Sequence, residues 1–209
     1  MLDSNYYKKY IKYKKKYLEL KTINQIGGNL SSKEVIEVIY KGKHFKLNST
    51  KETIDFLKKY KLFKSPNETF YVFDLHNVLD LLDQKYQIKR TSDKKVICCS
   101  YVGRYSPLRD TARSEIKERI KSGQIDWGVL VFRRGKERRN ENPFLYHKEG
   151  SKSWFCNLIK GDYFFDDSKD HVESVKSTPN LNIKVIQILN RKKLIEQIEK
   201  LNFNFSIGP

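Results

Sequence analysis

Four stretches of the sequence bring groups capable of ionic chemistry to the ends of apolar runs. FYVFD ends on Asp74, VICCS on Ser100 and YFFDD on Asp166 and Asp167, while Lys152 opens the stretch preceding the last of these. If each run is a strand of one parallel sheet, these residues gather at its carboxyl edge, where ligands of such sheets bind. Three carboxylates meeting there repel one another unless a divalent cation or shared protons neutralise them. Magnesium suits a hard, oxygen-lined site that bridges to a phosphate, and a serine hydroxyl and a lysine ammonium complement the phosphate oxygens. Singly, each residue has a plainer reading as a turn aspartate, a helix cap or a solvated lysine. Their order together is what points to phosphoryl chemistry.

The elements that must position them follow from apolar periodicity. Val35 to Tyr40 and His44 to Leu47 read as short strands about the turn at Lys41-Gly42. Ser49-Thr50 caps a helix through about Lys61. Five strand-length runs follow, at Thr69 to Phe73, Lys95 to Cys99, Trp127 to Phe132, Tyr163 to Phe165 and Ile183 to Leu189. Helices are expected from Ser106-Pro107 to Lys121, and over Lys152 to Ile159, Ser168 to Ser177 and Lys192 to Leu201. This alternation predicts an α/β fold, doubly wound, with a mostly parallel five-stranded sheet and helices on both faces.

Residues 4 to 28 stand apart. Tyr6, Tyr10, Tyr13, Tyr17 and Leu20 recur at helical spacing among lysines, and Gly27-Gly28 stops the pattern. A basic amphipathic helix is expected, lying on membrane or nucleic acid, docked on a partner, or packed on its own domain. The segment resembles a Tyr/Lys-rich leader ending in Gly-Gly that recurs in giant DNA virus proteins. The domain reading is therefore a leader over 1–28 and one domain over 29–209, with a hairpin-plus-helix extension at 29–64 and a core at 65–201.

The order of the four motifs resembles the haloacid dehalogenase superfamily. DLHNVL is similar to its first motif, CCS at 98–100 to the second, Lys152 to the third and FFDDSKDHV at 164–172 to the fourth. About 20 residues separate the first two strands, which leaves room for no more than a minimal cap. The resemblance implies a Mg2+-dependent phosphatase of this Rossmannoid fold, with Asp74 as nucleophile, Ser100 and Lys152 on the phosphoryl group, and metal held by Asp74, the backbone carbonyl of His76, Asp166 and Asp167. Lys160 is the weaker alternative to Lys152, and Asp170 a further candidate to orient a metal-bound water.

His76 departs from the pattern. Most phosphatases of the family carry there an aspartate that moves protons to the leaving group and from water. Imidazole, with an unperturbed pKa of about 6.5, is a competent proton carrier, and loss of such help slows a reaction by about 10²- to 10⁴-fold. The sequence thus leaves two readings: a His-assisted hydrolase, or a weak or inactive relative that binds nucleic acid or a protein partner. His44, His147 and His171 have no metal-site spacing and read as surface or satisfied polar residues.

A net charge of +17, from 42 Lys and Arg against 25 Asp and Glu, favours phosphate polymers as partners or reflects an A/T-biased coding sequence. Arg104, Arg109, Arg133 and Arg134 follow strand ends and are candidates to bind a phosphorylated substrate such as a nucleotide or a nucleic-acid end. Three cysteines cannot build a disulfide framework. No apolar run approaches membrane-span length and no signal-peptide core opens the chain, so a soluble cytoplasmic or virion protein is expected.

Overall fold

The computed structural model describes residues 35–82, 86–89, 91–103, 106–132 and 149–207. The leader at 1–28, Arg104, the RRGKERR segment with Arg133 and Arg134, and His147 lie outside the described residues.

Among the described residues the strands are β1 Ile36–Tyr40, β2 Lys43–Leu47, β3 Thr69–Phe73, β4 Tyr86–Lys89, β5 Lys94–Tyr101, β6 Trp127–Val131, β7 Tyr163–Asp166, β8 Lys184–Gln187 and β9 Asn204–Ile207. The α-helices among the same residues are α1 Thr50–Lys59, α2 Leu108–Lys121, α3 Lys152–Ile159, α4 Lys169–Lys176 and α5 Arg191–Lys200. The main sheet runs β2-β1-β6-β5-β3-β7-β8. Its last five strands in that order are mutually parallel, whereas β1 is antiparallel to both β6 and β2. The architecture is α/β, as expected, but the five-stranded sheet is corrected to seven strands. Ile36, Val38 and Ile39 are fully buried; their strand covers both faces only by joining the sheet edge at β6 rather than standing outside it as an extension.

The central strands read as continuous apolar runs because both faces are covered. Tyr71 and Phe73 of β3 face a layer with Ala112 and Ile116 of α2 and Leu194 and Ile198 of α5. Phe70 and Val72 face the other way, toward Leu57 of α1, Phe155 and Ile159 of α3 and Val175 of α4. Ser49, Ser151 and Asn190 accept hydrogen bonds from the backbone N–H groups of Glu52, Trp154 and Lys193, capping α1, α3 and α5. The connection from β3 to β5 holds a 3-10 turn at Leu79–Leu81 and β4. That strand pairs antiparallel with β9 at the chain's end, a pairing the sequence reading did not anticipate. Among the described residues no helix is long and apolar enough to cross a membrane.

From β3 the chain moves one way to β5 and β6, and later the other way to β7 and β8. The carboxyl end of β3 is therefore the topological switch point, where a crevice opens between diverging connections. Asp74 stands there.

Glu37 of β1, fully buried, takes both Arg109 and Arg113 of α2 and ties the antiparallel hairpin to the parallel core. Burial opposes its charge, but Arg113 and Arg109 outweigh that and hold the carboxyl below the usual glutamate range. Its stabilising contribution is thus complete above the unfolded-state pKa and fades as pH falls below about 4.5. Glu37→Gln should cost about 3 kcal/mol at neutral pH by urea denaturation, and the penalty should shrink in acid.

Candidate functional site

The last rung of β3 is the Asp74 N–H donating to the Phe165 carbonyl at 2.8 Å. The chain then turns sharply. The carbonyls of Asp74 and Leu75 accept from Leu79 and Asp80 at 3.2 and 3.0 Å, and Asn77 takes a left-handed conformation at φ 58°. This tight turn lets the Leu75 N–H reach back to Asp74 Oδ1 at 2.8 Å. It leaves His76 half-buried and Asn77 exposed at the crevice.

Lys152 is the first residue of α3, and its side chain is 2% exposed. Its Nζ lies 2.8 Å from Asp74 Oδ2 and 2.6 Å from Asp166 Oδ2, one ammonium spanning the ends of two adjacent strands. Asp166 has no solvent exposure, whereas the Asp74 side chain keeps 9%. Asp166 Oδ1 accepts from the Ser168 N–H at 2.9 Å and faces His171 Nδ1 at 3.3 Å. A chain of buried hydroxyls holds the two supporting helices together: Ser151 and Ser153 Oγ are 3.0 Å apart, and Ser174 donates to Ser153 at 3.1 Å. Lys152 and His171, from α3 and α4, thus converge on one carboxylate from a joined base.

The charges in the cluster are unequal. Burial pushes the Asp74 carboxyl above its ordinary range; Lys152 opposes the rise and Asp166 adds to it. Burial also works against Asp166, but Lys152 and His171 more than offset it, and that carboxyl sits below its usual range. Lys152 keeps its proton despite burial because Asp166 and Asp74 favour the charged form. One ammonium serves two carboxylates, so Asp166 is readily ionised and Asp74 is the group short of positive charge.

Asp74, Asp166 and His171 each offer a ligand atom within 4.8 Å of the others, a buried group that could hold a metal ion. The donor set fits a divalent cation. Two carboxylates have about eight lone-pair positions; Leu75 N, Ser168 N and the two contacts of Lys152 fill four of them, and His171 Nδ1 faces Asp166 Oδ1. A second cation would also answer the charge deficit at Asp74.

Of the residues singled out in the sequence, Asp74, Lys152 and Asp166 are in contact. His76 and Ser100 meet separately, with Nδ1 and Oγ 3.4 Å apart. Asp167 accepts from Asn77 Nδ2 at 2.9 Å, linking the loops after β3 and β7, and is not one of the three clustered ligands. Asp170 is exposed. Lys160 is exposed, caps α3 in a left-handed conformation and bonds Asn157, so Lys152 alone of the two lysines reaches the site. Arg109 is taken up by Glu37, with its guanidinium 4.7 Å from the Phe132 ring centroid. Of the two readings of His171, surface or satisfied polar residue, it is the second: its side chain is 12% exposed and faces Asp166, and it also joins Asp74 and Asp166 in the buried group. The signal was its place in the first turn of the helix that starts just after a strand-end aspartate, which keeps it beside the sheet edge.

Removing the ammonium would strand two buried carboxylates. Lys152→Met should lower stability by about 3–5 kcal/mol in urea denaturation, and Asp166→Asn added to it should recover part of that loss. Comparison of the chain with protein-family models and with curated protein sequences gives no match.

Proposed function

We propose that this protein is a cation-dependent phosphoester hydrolase of the haloacid dehalogenase type, with Asp74 as nucleophile. The observation that supports this most is the buried Lys152 joined to both Asp74 and Asp166 at the switch point of the sheet. A lysine there keeps two carboxylates in place and presents positive charge where a phosphoryl group would arrive. Asp74, the carboxylate of the pair with solvent exposure, is the one a substrate can reach.

An oxygen of Asp74 attacks phosphorus, forming an acyl phosphate as the bond from phosphorus to the ester oxygen breaks. His76 gives the departing oxygen its proton. Water then attacks phosphorus and surrenders a proton to His76; the bond to Asp74 breaks, restoring the carboxylate and releasing phosphate. Ser100, 3.4 Å from His76, donates to a phosphoryl oxygen, and Lys152 stabilises charge on the same group. A bound divalent cation, held by Asp74 and Asp166 with the His76 carbonyl and Asp167 as further candidates, would neutralise the charge that carboxylates and phosphate bring together. Magnesium is the ion the sequence suggests. The strong positive charge of the chain favours nucleotides or the phosphate ends of nucleic acid as substrates, with Arg104, Arg133 and Arg134 as candidate contacts.

A second reading rests on His76 itself. Imidazole paired with Ser100 can leave phosphate binding intact while failing in proton transfer, which would make the protein a binding relative of the enzymes. Phosphate release from several phosphoesters, with and without divalent cation, separates the two. Wild type should turn over, Asp74→Asn should fall to background, and His76→Ala should lose about 10²- to 10⁴-fold in kcat. Absence of turnover in the wild type on every substrate, with salt-sensitive nucleic-acid binding present, would favour the binding protein.

A further inference from the structure

The expected metal set was all oxygen, but the buried group that the fold assembles contains a nitrogen. His171 reaches the site from the first turn of α4, its Nδ1 3.3 Å from Asp166 Oδ1. Lys152 occupies Oδ2 of both aspartates, so the oxygens turned away from the ammonium are Oδ1 of each, and the imidazole stands on the Oδ1 side of Asp166. One ligand atom from each of Asp74, Asp166 and His171 lies within 4.8 Å of the other two. Ligands on opposite sides of an ion bound at about 2.1 Å are about 4 Å apart, so contraction by less than about an ångström closes the group on a cation. Asp167 accepts from Asn77 through Oδ2 and is not one of the three clustered residues.

From this placement we infer that His171 is a direct metal ligand and that the site prefers a first-row transition ion such as Mn2+ or Co2+ over Mg2+. Imidazole nitrogen binds these ions well and Mg2+ poorly, because Mg2+ sheds water reluctantly and seeks hard oxygen ligands. Two carboxylates and one imidazole leave coordination positions for water and a phosphoryl oxygen. The competing role for His171 is that of a donor that orients Asp166 from behind, with no effect on ion choice. The inference rests on the site of the proposed hydrolase and names the ion it uses.

Calorimetric titration of the full chain with MnCl2, CoCl2 and MgCl2 tests it, on wild type, His171→Asp and His171→Asn, with circular dichroism and melting curves confirming that both variants fold. Asn retains a donor to Asp166 without the imidazole nitrogen, and Asp offers oxygen. Wild type should bind Co2+ and Mn2+ at least about tenfold tighter than Mg2+, and both substitutions should lower the Co2+/Mg2+ affinity ratio by about tenfold or more. Pulsed electron paramagnetic resonance of Mn2+-loaded wild type needs no variant and should show coupling to a directly bound nitrogen. Unchanged ratios in the variants, no nitrogen coupling, or no saturable binding of any ion would overturn the inference. His171-dependent ion preference without phosphoester turnover would leave it standing and sink the hydrolase; turnover with Mg2+ that ignores His171 would do the reverse.

Discussion

One buried ammonium between two carboxylates is the constraint on which the site depends. Lys152 comes from the first turn of α3, and Asp74 and Asp166 end neighbouring parallel strands. Charges removed from water in this way stay only where geometry and hydrogen bonds compensate for lost hydration. Here the compensation is specific: Leu75 N–H serves Asp74 Oδ1, Ser168 N–H serves Asp166 Oδ1, and Lys152 serves both Oδ2 atoms. It is also incomplete, since burial and Asp166 leave the Asp74 carboxyl raised. A centre short of one positive charge is suited to a cation, and with it a phosphoryl group.

The surrounding fold can be understood as the means of holding that lysine in place. Ser151 caps α3, and the hydroxyl chain through Ser153 to Ser174 locks it to α4, which brings His171. On the other side, Glu149 accepts from the Thr50 N–H and hydroxyl at the start of α1. Gly150 has φ 86°, and a Cβ there would lie 2.9 Å from the Val35 carbonyl. Only glycine satisfies both conditions, so the turn leading into Lys152 is pressed against the start of the hairpin. The segment 35–59 thus belongs to the support of the site, and Glu37 fastens it to α2 as well.

Much of this was legible in the sequence for physical reasons that are local. β3 spans Thr69–Phe73 as expected, because a strand buried on both faces must be continuously apolar and must stop at the first charge. α3 spans Lys152–Ile159 as expected, with Ser151 capping its start and Lys160 left-handed at its end. Lys152 could be ranked above Lys160 because six residues before a strand-end aspartate leaves only the turn into the strand. What escaped was non-local. Pairing of β1 with β6 depends on chain segments about 90 residues apart, and that of β4 with β9 on segments still farther apart. Neither leaves a mark on its own stretch of sequence. His171 stands beside Asp166 because of the direction α4 takes after that strand end, and Arg109, which its place just past Ser100 marks as a candidate substrate contact, bonds Glu37, 72 residues earlier in the chain.

The central claim is that Asp74 carries phosphoryl transfer. Acid-quenching the protein during turnover of a phosphoester and mapping its peptides by mass spectrometry tests this directly. The account expects one phosphoryl group on the peptide containing Asp74, absent from Asp74→Asn. Turnover that persists in Asp74→Asn, or a phosphoryl group found on another residue, would contradict it.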